Sequence, residues 1–214
     1  MTMQIPHTVL YQGTEYSLSG YTGFELPEAE YFDMSFDGRS TGCRRGHTIT
    51  YKIDEDSQFL AYCVNVDGAE REPKGHDYQM IVSDNSFYRG HYIVNAVLEN
   101  VTGYILFKDL GPCMSHVLPM PDGGGFIPYH LHEAYINHGH VEWVHDITGE
   151  TKERTRDLNF ETFWKGMSSI EEPPFHDLWD YVTSFLPRRY DAVYYHEFIW
   201  HLRGWQEGYE KKSR

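Results

Sequence analysis

The 214 residues carry 32 Asp and Glu against 18 Lys and Arg, a formal net charge of −14 with His neutral. A surface of that sign repels nucleic-acid phosphates and anionic membranes, so neither is expected as a ligand, and it attracts basic proteins instead. No apolar run approaches the ~20 residues that a membrane helix requires, and the start, MTMQIPHTVL, has neither the basic region nor the apolar run of a secretory signal.

Residues 9–11 and 15–18 flank Gln12-Gly13-Thr14 and read as a short opening hairpin. From residue 19 to 46 the composition shifts to Gly, Glu, Asp and Ser, which predicts a loop with one helical turn near residues 27–31. Its carboxylates Glu25, Glu28, Glu30, Asp33 and Asp37 read either as a solvated face or as a concentrated acidic surface for a basic partner. Arg44 and Arg45 stand out in so acidic a chain. Intramolecular pairing is the simpler reading, and clamping of a carboxylate or phosphate the functional one.

Residues 48–53, TITYKI, alternate strictly and predict a half-buried strand. Residues 54–57 are its turn, and 58–66 the returning strand, with Phe59, Ala61, Cys63 and Asn65 expected on one face. Residues 78–82 make a short strand and 92–98 a strand or brief helix. Residues 102–109 make a strand with Tyr104, Leu106 and Lys108 on one side and Ile105 and Phe107 on the other. The three cysteines, Cys43, Cys63 and Cys113, are odd in number and lack CxxC spacing, which reads as reduced thiols in a cytosol rather than a disulfide framework. The stretch PMPDGGG at 119–125 lacks the spacing and the lysine of a phosphate cradle and leads into a strand.

Two half-polar runs, 129–137 and 140–147, then flank His138-Gly139, a pair suited to a tight hairpin turn. Counting outward, Ala134 faces Trp143, His132 faces His145 and His130 faces Ile147. Opposed residues share a face, so His130, His132, Ala134 and Ile136 are expected on the core side with Val141, Trp143, His145 and Ile147. His130, His132 and His145 thereby form a candidate divalent-metal site, for zinc as an example, with ligands at i and i+2 and a third across the strand. Glu133 or Asp146 would be the proton-transfer group, although this register sets both on the opposite face. The competing reading leaves the three as half-buried structural histidines and the protein without a cofactor. A slip of one residue would carry His145 to the other face.

Gly149-Glu150 predicts a turn and residues 151–158 a last short strand. Helical spacing follows at 160–168, behind an Asn159 cap, at 176–186 and at 191–209. HEFIWH at 196–201 puts its second His at i+5, so it is not a zincin motif. The expected fold class is α+β: an antiparallel sheet, curved or sandwich-like, over residues 1–158, then a C-terminal helical segment, 159–214, packed on it in one compact domain.

Four pieces recur in a fixed order: the LYQGTEYSL strand pair at 10–18, a Ser/Thr-rich turn into RGH ahead of TYKI at 40–53, the TGYIL strand at 102–106, and the Gly-rich loop with its His-bearing hairpin at 122–147. In this layout the chain resembles a family of uncharacterised bacterial proteins of unknown function. The shared motifs are structural, so the resemblance carries over no functional residue. No Ser-His-Asp, Cys-His or paired-carboxylate pattern marks an enzyme locally. The leading expectation is a cytoplasmic, acidic protein-binding module, immunity- or antitoxin-like, that neutralises a basic partner. The alternatives are a structural or self-association domain using the C-terminal helices, and a metal-dependent hydrolase using the three-His cluster.

Overall fold

A computed structural model of the chain describes residues 6–32, 46–66, 79–81, 90–109, 130–155, 186–188 and 190. Nine strands make one sheet: β1 Thr8–Tyr11, β2 Thr14–Thr22, β3 His47–Ile53, β4 Phe59–Val66, β5 Gln79–Ile81, β6 Gly90–Val97, β7 Gly103–Asp109, β8 Leu131–Asn137 and β9 His140–Asp146. Their spatial order is β5-β6-β4-β3-β1-β2-β7-β8-β9. Neighbours run antiparallel except β1 and β3, which are parallel because the chain crosses back from β2 before entering β3.

Local chemistry sets the turns. Gln12 and Gly13 (φ 49° and 76°), and His138 and Gly139 (φ 48° and 76°), occupy the left-handed region that two-residue hairpins need. Between β3 and β4, Asp54 Oδ1 accepts the amides of Asp56 (3.0 Å) and Gln58 (2.8 Å), an Asx turn.

The sheet curls until its two sides meet. Gln58 bridges His140, the Val141 amide donates to Ser57 O (2.7 Å) and the Phe59 amide donates to Gly139 O (2.8 Å). The start of β9 is thus stitched to the start of β4, so the strands from β4 round to β9 form a ring at that point, with β6 and β5 continuing outward from β4. Curling of this kind leaves fewer open edges and encloses an interior. That interior holds the main core, including Val9, Tyr16, Leu18, Ile49, Tyr51, Phe59, Ile105, Phe107, Ala134 and Ile136.

Bulges supply the curvature and change which residues face inward. Ser19 is extra in β2, Tyr62 in β4 and Glu142 in β9. The alternation expected through Cys63 and Asn65 therefore breaks at Tyr62: Phe59, Ala61 and then Val64 line the core, and Cys63 does not join that cluster. The faces expected of β7 hold, with Ile105 and Phe107 inside and Leu106 and Tyr104 in a second, outer cluster with Leu131, Ile147, Leu186 and Tyr190.

The α+β expectation is corrected. The described residues are mostly strand, and their helical content is one α-helix, α1 Thr148–Thr155, and a 3-10 turn, Ala29–Phe32. The helices expected at 160–168 and 191–209 lie outside the described residues, as does most of 176–186, and no helical segment packed on the sheet stands among those described. The last strand expected at 151–158 is overturned over 151–155, which belong to α1, and 156–158 lie outside the described residues; Asp146 Oδ1 accepts the Thr148 amide (2.9 Å) at the start of α1 and Glu150 lies in its first turn, favourable to the helix dipole. The loop expected from residue 19 begins only after Thr22, where β2 ends. No described helix is long and apolar enough to cross a membrane.

Candidate functional site

The bulge at Glu142 decides the composition of the site. Asn137 pairs with His140 and Ile136 with Val141, as counting outward from the turn requires. The extra residue then shifts the register, so that Tyr135 pairs with Trp143, Ala134 with Val144, Glu133 with His145 and His132 with Asp146. His145 consequently leaves the inner face and stacks on Trp143 outside (4.3 Å, 17°). The structure brings His130 and His132 together and separates both from His145. In its place stands Asp146, directly across from His132.

His132 lies inside the curl at the β8 end away from the hairpin turn. Phe107 stacks on it (5.2 Å), Tyr16 and Tyr11 meet it edge-on (5.1 and 5.9 Å), and the exposed His130 lies parallel to it at 6.2 Å. Both ring nitrogens of His132 are buried without a hydrogen-bond partner among the described residues. Burial pushes the imidazole below its ordinary pKa, against the pull of Asp146 and Asp109. Burial would raise Asp146, but hydrogen bonds from Thr148 and the neighbouring His132 and His130 outweigh it and hold the carboxyl below its usual range. Asp109 Oδ2 accepts the His130 amide at 2.6 Å. Among the described residues no three His, Cys, Asp or Glu side chains are gathered so as to hold a metal ion as the site stands.

On the outer face sequence reasoning misses a cluster altogether. Glu133, 3% exposed, accepts from Arg188 Nε (2.5 Å) and Nη2 (3.3 Å) and from the Tyr190 hydroxyl. The Arg188 guanidinium also lies 3.5 Å from the Tyr104 ring centroid. The hydrogen bond to Glu133 raises the Arg188 pKa, and burial together with Glu133 pushes the Tyr190 phenol well above its ordinary value. Arg188 and Tyr190 both donate to Glu133, so the cluster works as an anchor that holds Arg188 and Tyr190 against the sheet. Gly20 makes room for it, since a Cβ there would lie 2.9 Å from Tyr190 Cβ. The partners are 55 and 57 residues apart in sequence, and no local pattern announces them.

The acidic residues expected to meet a partner divide. Glu25 is exposed; Glu28 is exposed too, and its carboxylate contacts the buried His47 Nε2 at 2.8 Å, which ties the 24–32 segment to β3. Glu30 lies in the 3-10 turn with its side chain outside the description, and Asp33 and Asp37 lie outside the described residues. A second acidic group emerges at the closure. The turn at 54–57, the connection at 98–101 and the His138-Gly139 turn are knit together by main-chain bonds, among them Leu98 N to Phe59 O (3.1 Å) and Gly139 N to Val101 O (2.9 Å). They present exposed Glu55, Asp56 and Glu99 and no Lys or Arg, and Glu142, exposed in the neighbouring β9, adds a fourth carboxylate. Glu15, Glu25, Glu28, Glu55, Asp56, Glu99, Glu142, Asp146, Glu150 and Glu153 are exposed, whereas Lys52, Lys108 and Arg188 are each partly buried; the side chains of Lys152 and Arg154 in α1 lie outside the description. Comparison with protein-family models, with curated proteins and with solved structures gives no match.

Proposed function

We propose that this protein is a cytoplasmic binding module that captures a basic protein partner through its acidic surface, in the manner of an immunity or antitoxin protein. The observation that carries the reading is the concentration of exposed carboxylates on the interlocked turns where the sheet closes, in a chain of net charge −14. Carboxylates on turns braced by main-chain hydrogen bonds hold their spacing before a partner arrives, which lowers the ordering cost of association. Their field accelerates encounter with a cationic surface and repels polyanions. Cys63, a buried free thiol whose burial raises its pKa to about 11, is consistent with a reducing compartment.

The test compares two fourfold variants of equal charge, measured by surface plasmon resonance against an immobilised lysine-rich peptide and against purified basic proteins at several salt concentrations. One neutralises the closure (Glu55→Gln, Asp56→Asn, Glu99→Gln, Glu142→Gln) and the other neutralises Glu15, Glu25, Glu150 and Glu153. The reading expects the first to weaken association at least tenfold more than the second. Equal losses would reduce the effect to net charge alone and remove the site.

A further inference from the structure

We propose that the outer face of β7, β8 and β9 is where arginine side chains of the basic partner dock, stacking on the rings of Tyr135 and Trp143 beside the Glu142 carboxylate. This deepens the partner-binding reading and rests on it, adding the side-chain chemistry that the partner must present. The row of rings follows from the register. Tyr104 pairs with Tyr135 and Tyr135 with Trp143, so three aromatic residues on adjacent strands share one face. Tyr104 and Tyr135 lie 4.8 Å apart and Tyr135 and Trp143 6.2 Å apart, and His145 stacks on the Trp143 indole at 4.3 Å, which fixes its plane.

The protein already seats a guanidinium on this row. Arg188 lies over Tyr104, 3.5 Å from the ring centroid, closer than Lys52 Nζ comes to the Tyr62 ring (5.5 Å). A guanidinium is planar and weakly hydrated, so it stacks on a ring more readily than an ammonium does. Arg188 covers the first ring of the row. Tyr135 and Trp143 continue it into β9 and are half-buried, with His145 exposed beside them. Of the aromatic side chains, an indole attracts a cation most strongly.

Charge selects the same occupant. Asn137, two residues from Tyr135 on β8, lies on the same face, and its Nδ2 donates to Glu142 Oε1 (3.3 Å), so an exposed carboxylate stands beside the rings. The bulge creates this arrangement, because the extra residue in β9 sets Glu142 next to the indole where Tyr135 pairs with Trp143. A neutral aromatic strip would serve a sugar equally well. The carboxylate at its end, the guanidinium already seated on it and the net charge of −14 favour a cation. Trp, Tyr and Arg are also the residues that carry most of the binding energy where proteins meet.

The experiment measures an arginine-rich and a lysine-rich peptide of the same length by surface plasmon resonance at one salt concentration. The proteins are wild type and Trp143→Leu, which keeps an apolar side chain and removes the π face. Wild type is expected to hold the arginine peptide more tightly. Trp143→Leu, folded by circular dichroism, should weaken that peptide about fivefold or more and change the lysine peptide by less than about twofold. Tyr135→Leu should act in the same direction, which keeps the test open if one variant fails to fold. Equal losses for the two peptides, or no loss for the arginine peptide, overturn the proposal. The partner-binding reading then still stands if Glu55→Gln, Asp56→Asn and Glu99→Gln together, with Glu142 left in place, weaken both peptides. A wild type that binds neither peptide overturns both. Binding of a neutral oligosaccharide such as cellohexaose that Trp143→Leu abolishes, with the arginine peptide unaffected, assigns the face to a sugar and likewise overturns the proposal.

Discussion

Replacing Glu133 by alanine tests the outer anchor. The substitution strips the acceptor from Arg188 and from the Tyr190 hydroxyl together. Tyr190 is 1% exposed, so depriving its hydroxyl of this acceptor costs about 1–3 kcal/mol. Removing one partner of a fully buried ion pair costs about 3–5 kcal/mol. The Arg188 side chain retains 31% of its exposure, so water takes up part of the charge and a share of about 1–2 kcal/mol is the appropriate figure. The sum is about 2–5 kcal/mol, which for a chain of this size lowers the melting temperature by roughly 10 °C. Urea unfolding followed by circular dichroism gives the free energy, and Glu133→Gln, which keeps the shape and one acceptor, should lose about half as much. Glu133→Leu combined with Arg188→Met should recover most of the loss, because apolar residues of similar volume can replace a buried pair. If Glu133→Ala unfolds within about 0.5 kcal/mol of wild type, the level of an ordinary surface change, the anchor contributes nothing and the account of the outer face is wrong.

Two further outcomes follow from the same face. Gly20→Ala places a methyl group 2.9 Å from Tyr190 Cβ. It should destabilise by about 1–3 kcal/mol through overpacking, and a thermal melt indistinguishable from wild type would show that Tyr190 is not seated there. Tyr190 has a folded-state pKa raised above the ordinary phenol value of about 10. The folded state therefore holds the proton more tightly, and the associated stability is fully present below pH ~10 and is lost as pH rises beyond it. Tyr190→Phe should cost about 1–2 kcal/mol at pH 7 and show a shallower decline than wild type in urea melts between pH 9 and 11. Parallel declines would contradict the placement of the hydroxyl against Glu133.

The sequence by itself determined the local events. Gln12-Gly13 and His138-Gly139 specify tight hairpins because their backbone must enter the left-handed region, and Asp54 specifies its turn by accepting amides two and four residues on. The two faces of β7 were legible because no bulge interrupts its pairing with β8. Even α1 left a local trace, in Asp146 and Glu150, which the alternating pattern before it obscured. The tertiary structure decided what was shared between distant residues. Ser19, Tyr62 and Glu142 are ordinary strand residues in sequence, and only a sheet that must curl far enough to join Gln58 to His140 makes them bulges. One such bulge exchanges His145 for Asp146 beside His132. The Glu133, Arg188 and Tyr190 cluster was equally hidden, since burial removes the solvent that would otherwise satisfy each group and so makes residues more than fifty positions apart depend on one another.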